Sequence, residues 1–255
     1  MKNLKKRIKA GETVHGCWLN LGSPNAAEIL GHAGFDWILI DLEHSTMTEA
    51  NVLSILQAMA LSPTAPIVRV ESADGARISK VMDIGAEGVM CPKVNNAAEA
   101  KKVIDGLYYP PFGHRGMATM IRPANFGKDF DEYFNQAKDN FLGIVQIETV
   151  AALDNLEEIA AVDGVDVLFI GPADLTLDMG IFGQFDHPQY LKAVEKIVRA
   201  AQKYKKVVGI LFFNPADYKK YHDLGIKFIA CGADASFLLN GATEMVNKMA
   251  EARKS

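Results

Sequence analysis

Eight times along this chain a short apolar run gives way to a stretch of helical periodicity, and no other property of the sequence restricts the fold as tightly. The runs fall at residues 15–20, 35–40, 66–70, 88–91, 142–147, 165–170, 207–213 and 226–231. Runs of this length with little polar interruption read as strands buried on both faces, the condition of a parallel sheet. Helical patterns follow at 75–84, 97–106, 150–161, 188–204 and 215–224, with a last one at 235–252. Thr46 and Glu49 have the spacing of a capping box that opens a further helix, ending near residue 60. Eight strand–helix units with right-handed crossovers in 255 residues are the size of a (β/α)8 barrel, the TIM barrel of the α/β class. Gly34, Gly85 and Gly225 stand where helices stop before the next strand, and they carry no chemistry.

One connection is out of proportion. Residues 107–140 hold Tyr108, Tyr109, Pro110, Pro111 and Phe112, then a Met- and Arg-containing loop, then a helix near 129–138. A loop this long in a compact domain is usually functional or an interface. No linker composition interrupts the chain, so residues 1–255 read as one barrel domain with this insertion. Net charge is −4 and Lys and Arg are spread along the chain, which leaves no basic stripe for nucleic acid or a membrane surface. The basic residues 1–8 lack a following apolar region and are not expected to form a signal peptide. No run approaches the roughly 18 apolar residues that span a bilayer. Cys17, Cys91 and Cys231 form no C-x-x-C pair and read as buried, reduced thiols. A cytoplasmic protein acting on small molecules is expected.

Four of the apolar runs end abruptly in polar side chains. Asp41, Glu43 and His44 follow the second, Arg69 the third, Gln146 and Glu148 the fifth, and Asp174 the sixth. In a parallel barrel all strand C-terminal ends open on one face, where active sites are built. Glu148 and Asp174, after neighbouring strands, make a hard, oxygen-rich pair suited to Mg²⁺ or Mn²⁺. The alternative is that both are solvated loop acids, and Asp174 is well placed to cap a helix. The segment 171–174 leaves a strand and enters a helix, so the N–H groups of Ala173 and Asp174 can face a small carboxylate. His44 suits proton transfer near neutral pH, and Arg69 offers a permanent cation to an oxyanion. A salt bridge from Arg69 to an acid such as Glu71 is the competing role. Asp83, inside the apolar pattern of the helix at 75–84, needs a partner, and His44 is the candidate.

In this order and spacing, several segments together resemble the metal-dependent class II pyruvate aldolases of the HpcH/HpaI family, which include the 2,4-dihydroxyhept-2-ene-1,7-dioate and 2-dehydro-3-deoxyglucarate aldolases. The segments are 33–37, Asp41-x-Glu43-His44, Tyr109-Pro110-Pro111-x-Gly113-x-Arg115-Gly116, 145–149 and 169–175, and the resemblance runs from Gly16 to Gly232. It implies a barrel of the phosphoenolpyruvate/pyruvate-binding type and a divalent cation (Mg²⁺ or Mn²⁺, with Co²⁺ also accepted) held by Glu148 and Asp174. Pyruvate is then expected to chelate the cation through its keto and carboxylate oxygens, with its carboxylate near the N–H groups of Ala173 and Asp174, and Gln146 to contact the substrate or a metal-bound water. Arg69 is expected at the enolate oxygen, His44 oriented by Asp83 at the protons, and Leu211, ending the seventh strand, at the aldehyde. The implied reaction is cleavage or formation of a 4-hydroxy-2-oxo acid from pyruvate and an aldehyde, through a metal-bound enolate. A homohexamer, a dimer of trimers, is implied too, with the loop at 108–127 approaching a neighbour's site. Where the better-known members carry Gly, this chain has Leu42, which is expected to fill space at the cavity mouth. Three other readings compete: a Schiff-base aldolase on Lys93, an acyl-CoA lyase of the citrate or malyl-CoA type, and a non-catalytic barrel that binds a 2-oxo acid.

Overall fold

The computed structural model describes residues 3–254. Met1 and Lys2, which begin the basic stretch, and Ser255, which ends the expected domain, lie outside the described residues. The element order is α1 (Leu4–Lys9), β1 (Val14–Leu19), α2 (Pro24–His32), β2 (Trp37–Asp41), α3 (Glu49–Ala58), β3 (Ala65–Arg69), α4 (Gly75–Ile84), β4 (Gly88–Cys91) and α5 (Ala97–Leu107). It continues through α6 (Phe130–Asn140), β5 (Leu142–Ile147), α7 (Val150–Asp154), α8 (Leu156–Ala161), β6 (Val167–Ile170), α9 (Pro172–Asp178) and α10 (Pro188–Lys203). The last elements are β7 (Val207–Phe212), α11 (Tyr218–Asp223), β8 (Phe228–Ala233) and α12 (Asp234–Ala252). The strands are parallel and close in sequence order, β8 pairing with β1. This is the (β/α)8 TIM barrel that the alternation of patterns predicts.

Side chains alternate between the two faces of each strand, and the barrel uses both. Trp37 and Leu39 face inward with Trp18, Ile67, Ile144, Phe169 and Phe228. Ile38 and Ile40 face outward into the layer beneath the helices. Inside, aromatic rings fill the lower barrel: Trp37 stacks on Phe228 at 4.2 Å between centroids, and Trp18 tilts on Phe169 at 5.5 Å. Rings this large need small neighbours. A Cβ on Gly16 would stand 2.2 Å from the Trp37 ring. Gly16→Ala is therefore expected to cost about 1–3 kcal/mol or more through overpacking. Urea unfolding with an unchanged m-value reads it, and a wild-type midpoint would show that the Trp37 stack can yield.

Leu4 and Ile8, four residues apart on α1, close the lower mouth of the barrel within the same inner cluster. Asn3 caps that helix by accepting the Lys6 N–H at 2.9 Å. The capping box of α3 lies two residues beyond the expected one. Thr48 is the N-cap, and Asn51 Oδ1 accepts from its N–H at 2.9 Å and from its hydroxyl at 3.0 Å. The single helix expected at 150–161 is broken at Asn155, which leaves helical geometry and donates its side-chain amide to the Asn95 carbonyl.

The insertion after α5 begins at the lower end of the barrel, because each helix returns the chain from the upper to the lower face. It is tied down there. The Tyr108 hydroxyl donates to the Phe141 carbonyl at 2.8 Å. Arg115 is buried against the rings of Tyr109, Tyr133 and Phe141, and its guanidinium donates to Asp83 and Tyr133. The C-terminal helix behaves differently. At its base buried Asp234 accepts the N–H groups of Asn20 and Leu21 at 2.9 and 3.0 Å, and Phe237 stacks on Phe35. Beyond that turn α12 leaves the barrel wall, and Leu238, Leu239, Met245, Val246 and Met249 are exposed.

Candidate active site

The alternation that packs the barrel also delivers the site. On β2 the inward positions run Trp37, Leu39, Asp41; on β3 they run Ala65, Ile67, Arg69; on β5 they run Leu142, Ile144, Gln146, with Glu148 next. Each series is apolar below and polar in its last inward layer. Asp41 and Arg69 are also register partners on adjacent strands, so they meet at one height.

Their meeting is a two-pronged ion pair. Arg69 donates Nε to Asp41 Oδ1 at 2.9 Å and Nη2 to Oδ2 at 2.6 Å. Asp41 also accepts the N–H groups of Glu43 and His44 at 3.0 and 3.2 Å, and the Asn20 amide at 2.8 Å. Burial alone would push this carboxyl up, yet the guanidinium and the two N–H groups together hold it below the ordinary aspartate range. With Nε and Nη2 committed to Asp41, the remaining Arg69 nitrogen, Nη1, turns toward Glu43 Oε2 at 3.1 Å and Gln146 Oε1 at 3.4 Å. Trp18 lies beneath the guanidinium, 5.7 Å from its ring.

Opposite stands Glu148, only 2% exposed. It accepts the Lys93 backbone N–H at 2.7 Å and the Gln146 amide at 2.8 Å. Burial pushes its carboxyl up to about 7; the Lys93 N–H opposes this, while the charges of Asp174 and Glu43 add to it. Burial likewise raises Glu43, against the pull of Arg69, His44 and Lys93. A buried carboxylate repelled by the charges of Glu43 and of exposed Asp174 belongs to a donor set that a hard divalent cation would relieve. Gly171 keeps the space beside them open, since a Cβ there would stand 2.5 Å from Glu148 Oε2. Gly171→Ala is expected to lower Mn²⁺ affinity about tenfold, the scale of a disturbed supporting contact. Titration followed by Mn²⁺ electron paramagnetic resonance reads it, and unchanged affinity would mean that Glu148 has room to move.

The remaining expected residues take varied places. Ala173 and Asp174 are exposed in the first turn of α9, where backbone N–H groups lack intrahelical partners. Leu211 is half-buried against the inner cluster. His44 lies on the rim, its side chain 60% exposed, with Nε2 3.7 Å from Glu43 Oε1. Lys93 contributes its main chain: its φ of 52° holds the N–H toward Glu148, while its side chain is 62% exposed. A Schiff-base lysine needs a desolvated amine, and this one is in water.

Three expectations are corrected. Asp83 does not meet His44 within this chain, because α4 carries it to the lower face, where its partner is Arg115. The Arg69 salt bridge goes to Asp41 and Glu43, while Glu71 pairs with Arg77. Leu42 faces outward with Ile38 and Ile40 and lies buried in the layer under the helices, so it does not fill the mouth. Two contributors were not assigned from the sequence, Asp41 as the seat of Arg69 and Asn20 as its further support. The inward period of β2 was the available signal for Asp41; nothing local marks Asn20.

Comparison with known proteins finds relatives along nearly the whole chain. The chain is 40% identical over 255 residues to the 4-hydroxy-2-oxo-heptane-1,7-dioate aldolase of Salmonella typhimurium, covering all of this chain and 97% of that protein. Among solved structures, a HpcH/HpaI aldolase/citrate lyase family protein from Burkholderia cenocepacia superposes with a TM-score of 0.93 at 35% identity, covering 98% of this chain and 99% of that one. The HpcH/HpaI aldolase of Desulfitobacterium hafniense gives 0.89 at 31% identity, covering 96% of each. The model of one family matches residues 15–241, and with the relative aligned over the whole of this chain it establishes that the chain belongs to the HpcH/HpaI aldolase/citrate lyase family.

Proposed function

We propose that this chain is a class II pyruvate aldolase, a carbon–carbon lyase that cleaves or forms 4-hydroxy-2-oxo acids. The observation that carries the reading is the pairing, across one barrel mouth, of a buried Arg69–Asp41 clamp with the crowded acids Glu148 and Asp174. In the cleavage direction the 4-hydroxyl gives up its proton and the C3–C4 bond breaks. The electron pair moves to C2–C3, the aldehyde leaves, and negative charge develops on the 2-oxo oxygen. Arg69 Nη1, held in advance by the Asp41 clamp, donates to that oxygen. A proton delivered to C3 then completes the methyl group of pyruvate. His44, on the rim and in water, moves protons between substrate and solvent. The N–H groups of Ala173 and Asp174 receive the substrate carboxylate, Gln146 sits beside it, and Leu211 lines the side where the aldehyde departs. Glu148 and Asp174 would hold a divalent cation, with Mg²⁺ or Mn²⁺ the hard ions that suit two carboxylates, and a cation held there would supply Lewis acidity.

Exchange of the pyruvate methyl protons in D₂O, followed by NMR, tests this without knowledge of the aldehyde. Exchange that needs Mg²⁺ or Mn²⁺ and vanishes with EDTA and in Glu148→Gln is expected. Exchange that survives EDTA would move the chemistry to Lys93. No exchange under any condition would favour an acyl-CoA lyase or a non-catalytic 2-oxo acid binder.

The proposal includes a homohexamer. Its support is the exposed apolar face of α12, with Met117, Met120 and Phe126 exposed on the insertion. A sedimentation mass six times the 27.8 kDa chain is expected, and a monomer would remove it. A His44–Asp83 pairing is open only between subunits, since one chain holds the two residues at opposite ends of the barrel. The three free cysteines, two buried and one half-buried, fit a reducing, cytoplasmic compartment. No helix among the described residues is long and apolar enough to cross a membrane.

A further inference from the structure

The lower side of the barrel holds a cavity of about 690 Å³, within the range of small-molecule sites. It opens between α1, the end of α5, the end of α10 and the entries to β6, β7 and β8, remote from the mouth that carries Arg69 and Glu148. Lys5, Lys9, Lys138, Lys205, Lys206 and Lys227 line it, against Asp139, Asp163 and Asp166. A local excess of three positive charges in a chain of net charge −4 is the reverse of the overall balance.

The lysines are not equivalent. Lys5 forms the floor, with its ammonium fully engaged by the Tyr108 hydroxyl at 2.6 Å, the Phe141 carbonyl at 2.9 Å and Asp166 at 3.0 Å. The rim lysines have weaker ties. Lys206 donates to the Val162 carbonyl at 3.0 Å and Lys227 to the Gly11 carbonyl at 2.8 Å, neither to a carboxylate. Lys9, its side chain 61% exposed, stands 3.7 Å from Asp166, which is already engaged by Lys5. The Lys205 side chain forms no hydrogen bond or ion pair among the described residues, and its φ of 55° places it in the left-handed region that a non-glycine residue seldom occupies. Burial pushes the Lys206 ammonium below the ordinary lysine range, with Asp166 and Asp163 pulling against it. Cations brought together from four separate segments, two of them facing only carbonyls, leave room for an added anion. The opposite wall carries Ile104 and the rings of Tyr108 and Phe112, with the Lys138 ammonium 3.5 Å over the Phe112 ring.

We propose that this lower cavity binds a small organic phosphate of nucleotide size, with its phosphates among Lys9, Lys205, Lys206 and Lys227 and its apolar body along Ile104, Tyr108 and Phe112. The inference is independent of the aldolase reading, because none of these residues belongs to the upper mouth.

Isothermal titration of the full-length chain with ADP, and separately with inorganic pyrophosphate, tests it. One saturable ADP site per chain is expected, tighter than the pyrophosphate site and weakened by added salt. Lys9→Gln/Lys205→Gln, which changes two exposed side chains, should weaken ADP at least tenfold. The control Lys192→Gln/Lys219→Gln, which removes the same charge elsewhere on the surface, and Glu148→Gln should bind as wild type. Absence of saturable binding overturns the proposal, and so does equal weakening in the control pair. Loss in Glu148→Gln with the Lys9/Lys205 variant unaffected would place the phosphate at the upper mouth instead. Pyrophosphate binding as tight as ADP would remove the opposite wall from the recognition.

Discussion

Arg69→Ala is expected to slow pyruvate methyl exchange by about 10²–10³-fold, the cost of losing one preorganised donor to a developing oxyanion. The same substitution should also weaken the fold. Asp41 is fully buried, and removing its guanidinium strands a charge there, which costs about 3–5 kcal/mol where buried pairs are broken. Loss of activity alone would therefore not separate chemistry from collapse. Two companions do. Arg69→Lys keeps the charge but cannot engage both Asp41 oxygens while turning a third nitrogen to the mouth, so exchange should fall while the fold holds. Arg69→Ala/Asp41→Asn removes the stranded charge and should recover most of the urea midpoint without recovering exchange. A double variant that is both stable and fully active would take Arg69 out of the reaction.

The second large effect concerns Glu148 and has a defined pH direction. Its carboxyl is raised from an ordinary 4.5 to about 7. Below about 7 a proton competes with the cation, so Mn²⁺ affinity should fall about tenfold per pH unit on the acid side and level off on the alkaline side. Without cation, the sign for stability is the reverse of the usual acid case. The unfolded chain gives up this proton near 4.5 and the folded chain only near 7, so the folded state binds more protons in between. Stability of the cation-free protein should fall as pH rises through that window, by up to about 3 kcal/mol in all, since each tenfold change in proton affinity is worth about 1.4 kcal/mol. Saturating Mn²⁺ should restore it above 7. Glu148→Gln is expected to abolish both slopes and lower Mn²⁺ affinity by about 10²-fold or more. If that variant kept the wild-type pH profile of Mn²⁺ binding, Glu148 would not be a ligand.

Much of this was legible in the sequence because a barrel converts period into position. The eight runs and their polar endings placed Arg69, Gln146, Glu148 and Asp174 at one end before any contact was known. Where an expectation failed, the same period often held the answer. Leu42 lies an even number of residues from Ile38 and Ile40, so it shares their outward face. Asp83 closes the helix that descends from the site, so it had to arrive at the far end of the barrel. The partner of Arg69 was not readable in this way. Choosing Asp41 over Glu71 requires the register between β2 and β3, a non-local pairing that no local pattern encodes. The capping box failed for a different reason: Thr46 and Thr48 both suit an N-cap, and only packing selects the second. The main-chain role of Lys93 left no trace, because its side chain is the part of the residue that the site does not use.

That division at residue 93 has a practical consequence. The N–H that seats Glu148 belongs to the peptide and survives any substitution that keeps the left-handed turn, which Asn and Gly do readily. The side chain points outward at the rim, within 3.9 Å of Glu43 and close to where substrate must pass. Cysteine keeps that turn less readily than Asn or Gly, at a cost of about 1–2 kcal/mol; with Cys17 and Cys91 buried and half-buried Cys231 replaced by Ser, a cysteine introduced at 93 would be the accessible thiol. A fluorophore attached there would report occupancy of the mouth in real time, turning a strained backbone position into a sensor for ligands whose turnover is too slow to follow.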